Sequence, residues 1–511
     1  MTATDPATAS GDASTTAAYV EQPDGATVRL VLGAVAATLL FASLGQTIVS
    51  TAMPVMVADL GGMDHITWVI TAYLLASTIA APMAGKLGDM YGRKLVLQSG
   101  IAVFVLGAVI AGTAASMGQV IAGRLVQGFG AGTLIVTSMA TVGDLLPPRQ
   151  RGMAQGVLGA AFGVSTVIGP LLGGFIVQNW HWHWIFFVNL PVGALAFVVI
   201  GAALPRRTER QERRVDYAGA ALLATLLASV VLLPNAAGEG AGWASPQVGA
   251  LAALGALSLA GFVLIEGRAE EPILPLDLFR NNTFLVVNAV GFLVGMGMFG
   301  TITFLPLFLQ VVKGVSPTNS GLFLVPMMGG LIFASTMAGR VMSKTGRYKL
   351  MPTLSTGVLA VALVALSTLS ADSPLWFIAG AMVLIGLGLG PVFSVGVAAI
   401  QNAIPGSMMG VGTASANMFR LIGGSVGTAA FGAVFSAGLA RNLSGHMPGA
   451  EAGGLRSIGA ETLRALPPEA QLRVMEGFSE ALHPVFWVAA LAALLACLMS
   501  TQLRELPLSG A

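Results

Sequence analysis

The hydrophobic positions of this chain fall into long unbroken runs that are separated by short polar stretches. Most runs are close to the ~20 residues that an α-helix needs to cross a ~30 Å hydrocarbon core. The pattern therefore predicts an all-α polytopic membrane protein. Its fourteen predicted spans lie near residues 29–50, 67–86, 95–114, 119–141, 152–176, 185–204, 217–235, 247–266, 284–305, 319–340, 350–370, 375–400, 411–436 and 484–502.

The spans are grouped as six, two and six, which predicts two six-helix bundles with two additional transmembrane helices between them. The predicted segments are a disordered cytoplasmic tail at 1–28, a bundle at 29–204, a cytoplasmic linker at 205–216, two extra helices at 217–266, a second cytoplasmic linker at 267–283, a bundle at 284–502 and a cytoplasmic tail at 503–511. Within the second bundle, 437–483 is predicted to be a long external loop with a short amphipathic helix around 461–480.

Composition supports a membrane protein and disfavours other classes. The chain is 55% hydrophobic and 9% charged, whereas a soluble protein carries about a quarter charged residues. A net charge of +2 gives no reason to expect a nucleic-acid partner. Cys497 is the only cysteine, so no intrachain disulfide can form. The sequence has no phosphate-binding Gly-x-x-x-x-Gly-Lys-Ser/Thr loop, and we expect no enzymatic activity, metal or cofactor. The pair His181-x-His183 lies among tryptophans typical of a membrane interface.

Lysine and arginine in the short loops predict the orientation of the spans. They collect on one side of the predicted membrane, whereas the short loops of the other side contain only Lys313. The basic side is predicted to be cytoplasmic, with both termini inside and the chain in the plasma membrane. Its basic residues include Lys86, Arg93, Lys94, Arg149, Arg151, Arg206, Arg207, Arg210, Arg213, Arg214, Arg268, Arg280, Arg340, Lys344, Arg347 and Lys349.

A charged turn occurs twice in the chain, once between spans 2 and 3 and once between spans 10 and 11. It reads Gly-Lys-Leu-Gly-Asp-Met-Tyr-Gly-Arg-Lys at 85–94 and Gly-Arg-Val-Met-Ser-Lys-Thr-Gly-Arg-Tyr at 339–348. The glycines at 85, 88 and 92 permit a sharp turn and close helix approach. Asp89 can pair with an arginine or a helix N-terminus, and Arg93 and Lys94 are expected to contact the anionic leaflet. The two copies predict two related halves, and only the first has an acid, because Ser343 stands in place of Asp89.

The order of these motifs resembles the major facilitator superfamily, in particular its fourteen-span drug:H+ antiporters. Four further stretches carry the resemblance. They are Gly-Arg-Leu-Val-Gln-Gly-Phe-Gly at 123–130, Gly-Pro-Leu-Leu-Gly-Gly at 169–174, Trp-His-Trp-Ile-Phe-Phe-Val-Asn-Leu-Pro at 182–191, and Arg-Leu-Ile-Gly-Gly at 420–424, together with Asp216 and Gly219 at the start of span 7. By this resemblance, the two bundles rock against each other, and the turn at 85–94 locks the cytoplasmic side when Asp89 engages the start of span 13.

Two of these motifs have a physical rationale inside the membrane. Arg124 is a charge within span 4, which is expensive, so we expect it to face a water-filled cavity beside Gln127, unless it snorkels to the outer surface. Gly169 and Pro170 lie in mid-span, where proline removes one backbone hydrogen bond. The small residues Ala161, Ser165, Gly169 and Gly173 are spaced four apart and favour close contact with a facing helix. By resemblance, that contact seals one side of the cavity and suits export.

The end of span 1 departs from the family pattern. The fourteen-span antiporters usually have an aspartate two residues before Thr47, whereas this chain has Gly45. No Asp or Glu lies well inside a predicted span. Three accounts follow: the proton is carried at the external mouth, by Asp59, Asp64 or His65; coupling is altered or lost; or the chain is a variant whose acid was removed.

The resemblance implies export of hydrophobic or cationic drug-like compounds in exchange for protons, by a chain that functions as a monomer in the lipid bilayer. Export of an endogenous lipid or secondary metabolite is an alternative, as is an uncoupled or non-transporting relative. Residues that could line a substrate cavity are Gln46, Tyr73, Gln127, Asn288, Phe299, Phe304, Asn417, Phe419 and Arg420.

Overall fold

The computed structural model describes residues 25–61, 65–204, 215–237, 244–443, 468–506 and 508. The described chain is all-α. Thirteen helices are long and apolar enough to cross a membrane, and one further apolar helix is shorter, so the prediction of about fourteen spans is confirmed. The long helices are α1 Gly25–Thr47, α2 Ile66–Tyr91, α3 Arg93–Gly112, α4 Met117–Leu145, α5 Pro148–Asn179, α6 Asn189–Ala203, α7 Tyr217–Ala236, α8 Pro246–Glu266, α9 Asn282–Val311, α10 Leu324–Thr345, α11 Leu350–Leu366, α12 Leu375–Ala403, α13 Met409–Leu443 and α14 Pro468–Ser500.

Side-chain caps begin several helices where the apolar runs begin. Ser116 accepts a hydrogen bond from the Gln119 amide at the start of α4, and Ser245 does the same for α8. Asp216 caps α7 through the Gly219 amide, 2.8 Å away. A Cβ atom at Gly219 would lie 2.4 Å from the Asp216 carboxylate, which explains why a glycine follows this cap.

Two predicted boundaries are wrong. Helix α9 continues beyond the predicted end at 305, through Pro306, because a packed membrane helix tolerates the loss of one backbone bond. Helix α12 also contains a proline, Pro391, and matches the predicted span at 375–400. The predicted external loop at 437–483 is too long, since α13 ends at Leu443 and α14 begins at Pro468. The early part of α14 is held by apolar packing, in which the rings of Phe478 and Phe435 lie 4.9 Å apart. Residues 1–24, 205–214 and 444–467, which include most of the predicted tail and linker, lie outside the described residues.

The two bundles repeat the same helix pairings. In the first bundle α1 packs against α5 and α6, α4 packs against α2 and α3, and α3 packs against α6. In the second, α9 packs against α13 and α14, α12 packs against α10 and α11, and α11 packs against α14. Each helix of the first bundle thus has a counterpart eight helices later, as the repeated turn predicted.

The bundles meet along two seams. Helix α2 contacts α13 along one seam, and α5 contacts α10 and α12 along the other. The extra helix α7 packs against its partner α8 and also against both α2 and α13, so it lies beside the first seam. We call the end of the molecule that holds the α2–α3 and α10–α11 turns the basic end, because both turns are rich in arginine and lysine.

Candidate functional site

The turn at 85–94 joins the two bundles at the basic end. Asp89 accepts hydrogen bonds from the amides of Gly410 and Val411, at 2.8 and 2.9 Å. These amides belong to the first turn of α13, which has no intrahelical acceptors for them and favours a negative charge. Arg93 donates to Asp89 and, at 2.7 Å, to Asp144 at the end of α4. The turn thus holds one carboxylate between an arginine and the partner bundle's helix N-terminus.

Glycines bring the backbones together at this turn. A Cβ atom at Gly85 would lie 2.6 Å from the carbonyl oxygen of Gly410. A Cβ at Gly88 would lie 2.6 Å from the guanidinium of Arg93, so this glycine leaves room for the ion pair. Gly92 ends α2 at a φ of +89°, a backbone conformation that glycine adopts without strain.

The expectation that Arg93 contacts the leaflet is wrong. Its side chain is buried between Asp89 and Asp144, because two carboxylates and a close helix crossing enclose it. Lys94 is partly exposed beside it. The nearby Lys86 forms an ion pair of 2.6 Å with Glu271, which lies in the connection between α8 and α9. The turn is therefore tied to the extra helices as well as to α13.

The second copy of the turn is built without an acid. Gly339 approaches α5 closely, since a Cβ there would lie 2.5 Å from the Gly152 carbonyl oxygen. Helix α5, which Gly339 approaches, begins at Pro148 and has Pro147 as its N-cap. Proline has no amide hydrogen to donate, so this N-terminus offers fewer donors to a carboxylate than α13 does. The absence of an acid at position 343 fits this partner.

The C-terminal residues support the second turn instead. Glu505 accepts a hydrogen bond of 2.8 Å from the amide of Tyr348. The amide of Leu506 donates to the Tyr348 hydroxyl at 3.0 Å. Burial raises the pKa of Tyr348. These contacts hold the turn against its own bundle rather than against the other one.

A group of polar side chains that the sequence reading missed joins the bundles beside the α5 seam. Gln401 of α12 donates to the carbonyl of Met139 in α4, at 3.0 Å. Arg151 of α5 donates to the Gln401 carbonyl at 2.8 Å, and Gln155 lies 3.4 Å from the Gln401 side chain. Buried glutamines within apolar spans were the available signal, because polar groups in a membrane are costly unless they are paired.

Arg124 lies in a closed pocket of the first bundle. Its Nη1 donates to the Gly45 carbonyl and to Gln127, both at 2.7 Å, and its Nε donates to the Val69 carbonyl at 3.2 Å. The guanidinium carbon is 4.1 Å from the centre of the Tyr73 ring. Arg124 is 0% exposed. The expectation that it faces a water-filled cavity is therefore wrong, and so is the snorkelling alternative, because backbone carbonyls of α1 and α2 enclose it.

The position of the missing acid is filled by a phenylalanine. A Cβ at Gly45 would lie 2.7 Å from Cζ of Phe104 and 3.5 Å from Nε2 of Gln127. Phe104 is fully buried, and its ring is tilted against that of Phe41 with the ring centres 4.4 Å apart. Among the described residues, Nη2 of Arg124 and Nε2 of Gln127 are buried donors without an acceptor. The pocket keeps donors that a carboxylate would satisfy, while Phe104 takes part of its space.

The small residues of α5 pack against the end of α1 within the first bundle. Thr47 donates to the Ser165 carbonyl at 3.0 Å. A Cβ at Gly169 would lie 2.0 Å from the Thr47 hydroxyl, and one at Gly173 would lie 2.4 Å from the Ile48 carbonyl oxygen. A Cβ at Gly174 would meet nothing within 4 Å, so close packing does not require that glycine. Helix α5 runs unbroken through Pro170.

The predicted proton carriers lie at the end opposite the basic end. Asp59 is exposed and accepts a hydrogen bond of 2.8 Å from the Trp182 indole, while His65 is exposed before α2. Asp64 lies outside the described residues. His181 and His183 are in contact, with their Nδ1 atoms 2.7 Å apart. Burial and repulsion from His181 lower the pKa of His183, against the opposing effects of the Ala114 carbonyl and Asp59.

The structure separates the predicted cavity residues into two sets. One set is packed inside a single bundle and is nearly inaccessible, which corrects its assignment to the cavity: Tyr73, Gln127, Asn288, Phe304 and Asn417. The other set is partly exposed: Gln46, Phe299, Phe419 and Arg420. Two of these partly exposed side chains pack against neighbouring residues. The ring centre of Phe419 lies 6.0 Å from that of Phe279, and Phe299 packs over Gly424.

Arg420 is the charged member of the partly exposed set. It donates a hydrogen bond to Asn417, one turn earlier on α13. Its guanidinium carbon lies 4.1 Å from the centre of the Phe393 ring on α12. A charged side chain at the centre of a span costs about 3 kcal/mol on insertion, so its presence in mid-helix needs a cause.

Comparison with known proteins agrees with this architecture. The profile described as Major Facilitator Superfamily matches residues 35–428. The chain is 40% identical over 410 residues to the multidrug transporter protein MdtP of Bacillus subtilis, covering 80% of this chain and 75% of that protein. It is 32% identical to multidrug resistance protein 3 of the same species, covering 90% of this chain and 91% of that protein.

Further relatives and two solved structures extend the likeness. A transporter of the acurin A biosynthesis cluster of Aspergillus aculeatus is 33% identical, over 80% of this chain and 75% of that protein. The human organic anion transporter MFSD10 superimposes with a TM-score of 0.63 at 16% identity, covering 94% of this chain and 100% of that one. The proton:xylose symporter XylE does so with 0.61 at 13% identity, covering 93% and 95%. The chain is therefore a multi-pass membrane protein that belongs to the major facilitator superfamily of transporters, and it is not an enzyme.

Proposed function

We propose that this chain exports amphipathic, drug-like molecules across the plasma membrane by alternating access, in exchange for protons. The observation that carries the proposal is the position of the contacts between the bundles. The described hydrogen bonds from one bundle to the other all involve residues near the basic end: Asp89, Met139, Arg151, Gln155, Gln401, Gly410 and Val411. Bundles that are joined at one end and can part there are what rocking requires.

In this proposal the basic end faces the cytoplasm, with both termini inside, as the distribution of arginine and lysine favours. The turn at 85–94 then acts as a latch. Engagement of Asp89 with α13 keeps the cytoplasmic side closed, and its release opens that side. The names of the relatives, several of them multidrug transporters or efflux pumps, support a small-molecule cargo that moves outwards.

Proton coupling in this chain needs a group other than the usual span-1 acid, because Gly45 stands at that position. The unpaired buried donors of Arg124 and Gln127 are groups that a carboxylate at position 45 would satisfy. Coupling through the exposed Asp59 and the neighbouring His181–His183 pair is the account that this chain's own residues favour, since an acid and two imidazoles lie together at the external mouth.

Export of a secondary metabolite is a second candidate, which the acurin A cluster relative favours. Both candidates need the same alternating cavity and differ only in cargo. Transport measured with a panel of substrates therefore separates the two candidates, whereas the transport mechanism is the same for both.

A transport assay on the purified full chain tests the proposal. The chain is reconstituted in proteoliposomes, and ethidium and a panel of amphipathic compounds are followed with and without an imposed pH gradient. We expect accumulation that requires the gradient and disappears when an ionophore collapses it. Ser343→Ala changes the position of the second turn that corresponds to Asp89, and this variant should transport normally. Gradient-independent equilibration would contradict proton coupling, and absence of movement for the whole panel would contradict drug export.

A further inference from the structure

Arg420 lies on the face of α13 whose first turns contact α2 of the other bundle. Thr413, seven residues before Arg420, is two helical turns away on the same face. Its hydroxyl accepts a hydrogen bond of 3.0 Å from Gln401, the side chain that also donates to Met139 of the first bundle. Arg420 therefore lies directly beyond the contacts that join the bundles, on the side away from the basic end.

Exposure increases along this face of α13. Gly410 and Ala414 are buried against Gly85 of α2. Asn417 is 6% exposed, and Arg420 is the next residue on the face and is partly exposed. Side chains on this face thus change from buried to partly exposed within two turns. Arg420 is the first charged side chain of this face beyond the contacts that join the bundles.

The guanidinium has unused donors at this position. An arginine carries five N–H groups, and Arg420 uses one of them on Asn417. Among the residues that the structure describes, no Asp or Glu comes within ion-pair distance of Arg420. Phe393 supports the flat face of the guanidinium and leaves its edge free. The free edge of a guanidinium matches a carboxylate, which accepts two parallel hydrogen bonds from it.

The other intramembrane arginine shows what a structural role looks like in this fold. Arg124 is fully buried and spends its donors on two backbone carbonyls and Gln127. Arg420 makes no described hydrogen bond from its side chain to a backbone carbonyl, and it remains partly exposed. A merely structural explanation therefore accounts for Arg124 and leaves Arg420 unexplained.

From this geometry we infer that Arg420 is an anion-binding group of the central cavity, and that the chain's preferred substrates are amphipathic molecules with a carboxylate at one end. The carboxylate binds the unused N–H groups of the guanidinium, which Asn417 holds in place, and the apolar body lies beside Phe393. The inference rests on the proposed export function for the identity of the ligand as cargo. It also replaces the expectation of cationic substrates, because the same guanidinium repels a cation.

Binding of three probes of one shape tests the inference. They are 1-naphthylacetate, the neutral 1-naphthylacetamide and the cation (1-naphthylmethyl)trimethylammonium, with the full chain in nanodiscs of zwitterionic phosphatidylcholine. We expect the wild type to bind the carboxylate about tenfold or more tightly than the amide. Arg420→Gln should remove this preference and leave the affinity for the amide unchanged. Arg280→Gln, a surface charge removal, should preserve it.

A second variant covers the case in which Arg420→Gln does not fold. Asn417→Asp places a carboxylate beside the intact guanidinium, and it should abolish the preference for the anionic probe by neutralising the site. An unchanged carboxylate preference in a folded Arg420→Gln or Asn417→Asp protein would overturn the inference. So would wild-type binding of the cation as tight as that of the carboxylate.

Transport of the same probes separates this inference from the proposed function. If proteoliposomes move none of the three, yet the carboxylate preference depends on Arg420, then the anion site stands and export of such compounds fails. If the wild type exports the amide or the cation and Arg420→Gln changes no preference, then export stands and the anion site fails.

Discussion

The two bundles share one arrangement of helices but use their charged residues differently. In the first bundle, Asp89 reaches across to α13 and Arg124 is enclosed by backbone carbonyls. In the second, Ser343 replaces the acid, and Arg420 remains partly exposed. Repetition therefore explains where the helices lie, whereas the contact of Asp89 with the partner bundle and the partly exposed Arg420 each occur in one half only. Under our proposals, the first half closes the cytoplasmic side and the second half binds the cargo.

The largest expected difference between the halves is in stability. Arg124→Ala should lower the free energy of unfolding by about 3 kcal/mol or more, because it leaves several buried acceptors unpaired. Arg420→Gln should lower it by about 1 kcal/mol or less, since it removes one hydrogen bond at a partly exposed position. Thermal unfolding of the purified proteins, followed by gel filtration, measures both. Similar losses would show that the two arginines are equally structural.

The next effect concerns the latch. Asp89→Asn keeps the size of the side chain and removes the charge that attracts the α13 amides and Arg93. We expect transport to fall about tenfold, the equivalent of ~1.4 kcal/mol. Ser343→Ala, the matched position of the second turn, should change transport less than about twofold. Initial rates in proteoliposomes at equal protein content provide the comparison. Equal effects would reduce both turns to topological signals.

Restoring the missing acid is expected to have an intermediate effect that depends on Phe104. Gly45→Asp alone should destabilise the chain by about 1–3 kcal/mol, because its Cβ overlaps the buried ring. Gly45→Asp combined with Phe104→Leu should recover stability and increase substrate-driven proton flux. Phe104→Leu alone is the control for the cavity that this change creates. Unchanged flux in a stable double variant would show that the loss of the span-1 acid is not what limits coupling.

The smallest effect should come from the ion pair between Lys86 and Glu271. Both side chains are partly shielded, with exposures of 10% and 28%. A double-mutant cycle with Lys86→Gln and Glu271→Gln should give a coupling energy of about 0.5–1 kcal/mol that declines in high salt. Among the described residues, no ion pair links the second turn to the extra helices. A coupling energy indistinguishable from zero would detach those helices from the latch.

The sequence predicted the number, order and repetition of the helices, because membrane spans are long apolar runs with a fixed minimum length. It also identified Asp89 and the start of α13 as partners through family resemblance. Helix ends were less predictable. Prolines within packed spans, such as Pro306 and Pro391, do not end a helix, and α14 begins among mixed residues that resemble a loop.

Side-chain environments could not be read from the sequence. Arg93 was predicted to lie at the leaflet surface and Arg124 in a water-filled cavity, yet both are buried by helices that lie far away in the chain. Which carbonyls or carboxylates surround an arginine depends on helix rotation and crossing, and hydropathy contains neither. Gln401 was missed for the same reason, although it is a polar side chain at the end of an apolar run.

The extra helix α7 has a consequence for molecules dissolved in the bilayer. Because α7 contacts both α2 and α13, it stands where a lipid-soluble molecule would otherwise slip sideways between them. In the described part of the chain, the extra helices do not pack along the opposite seam, between α5 and α10. A solute arriving from the lipid would therefore meet an added helix at one seam and only the two bundles at the other.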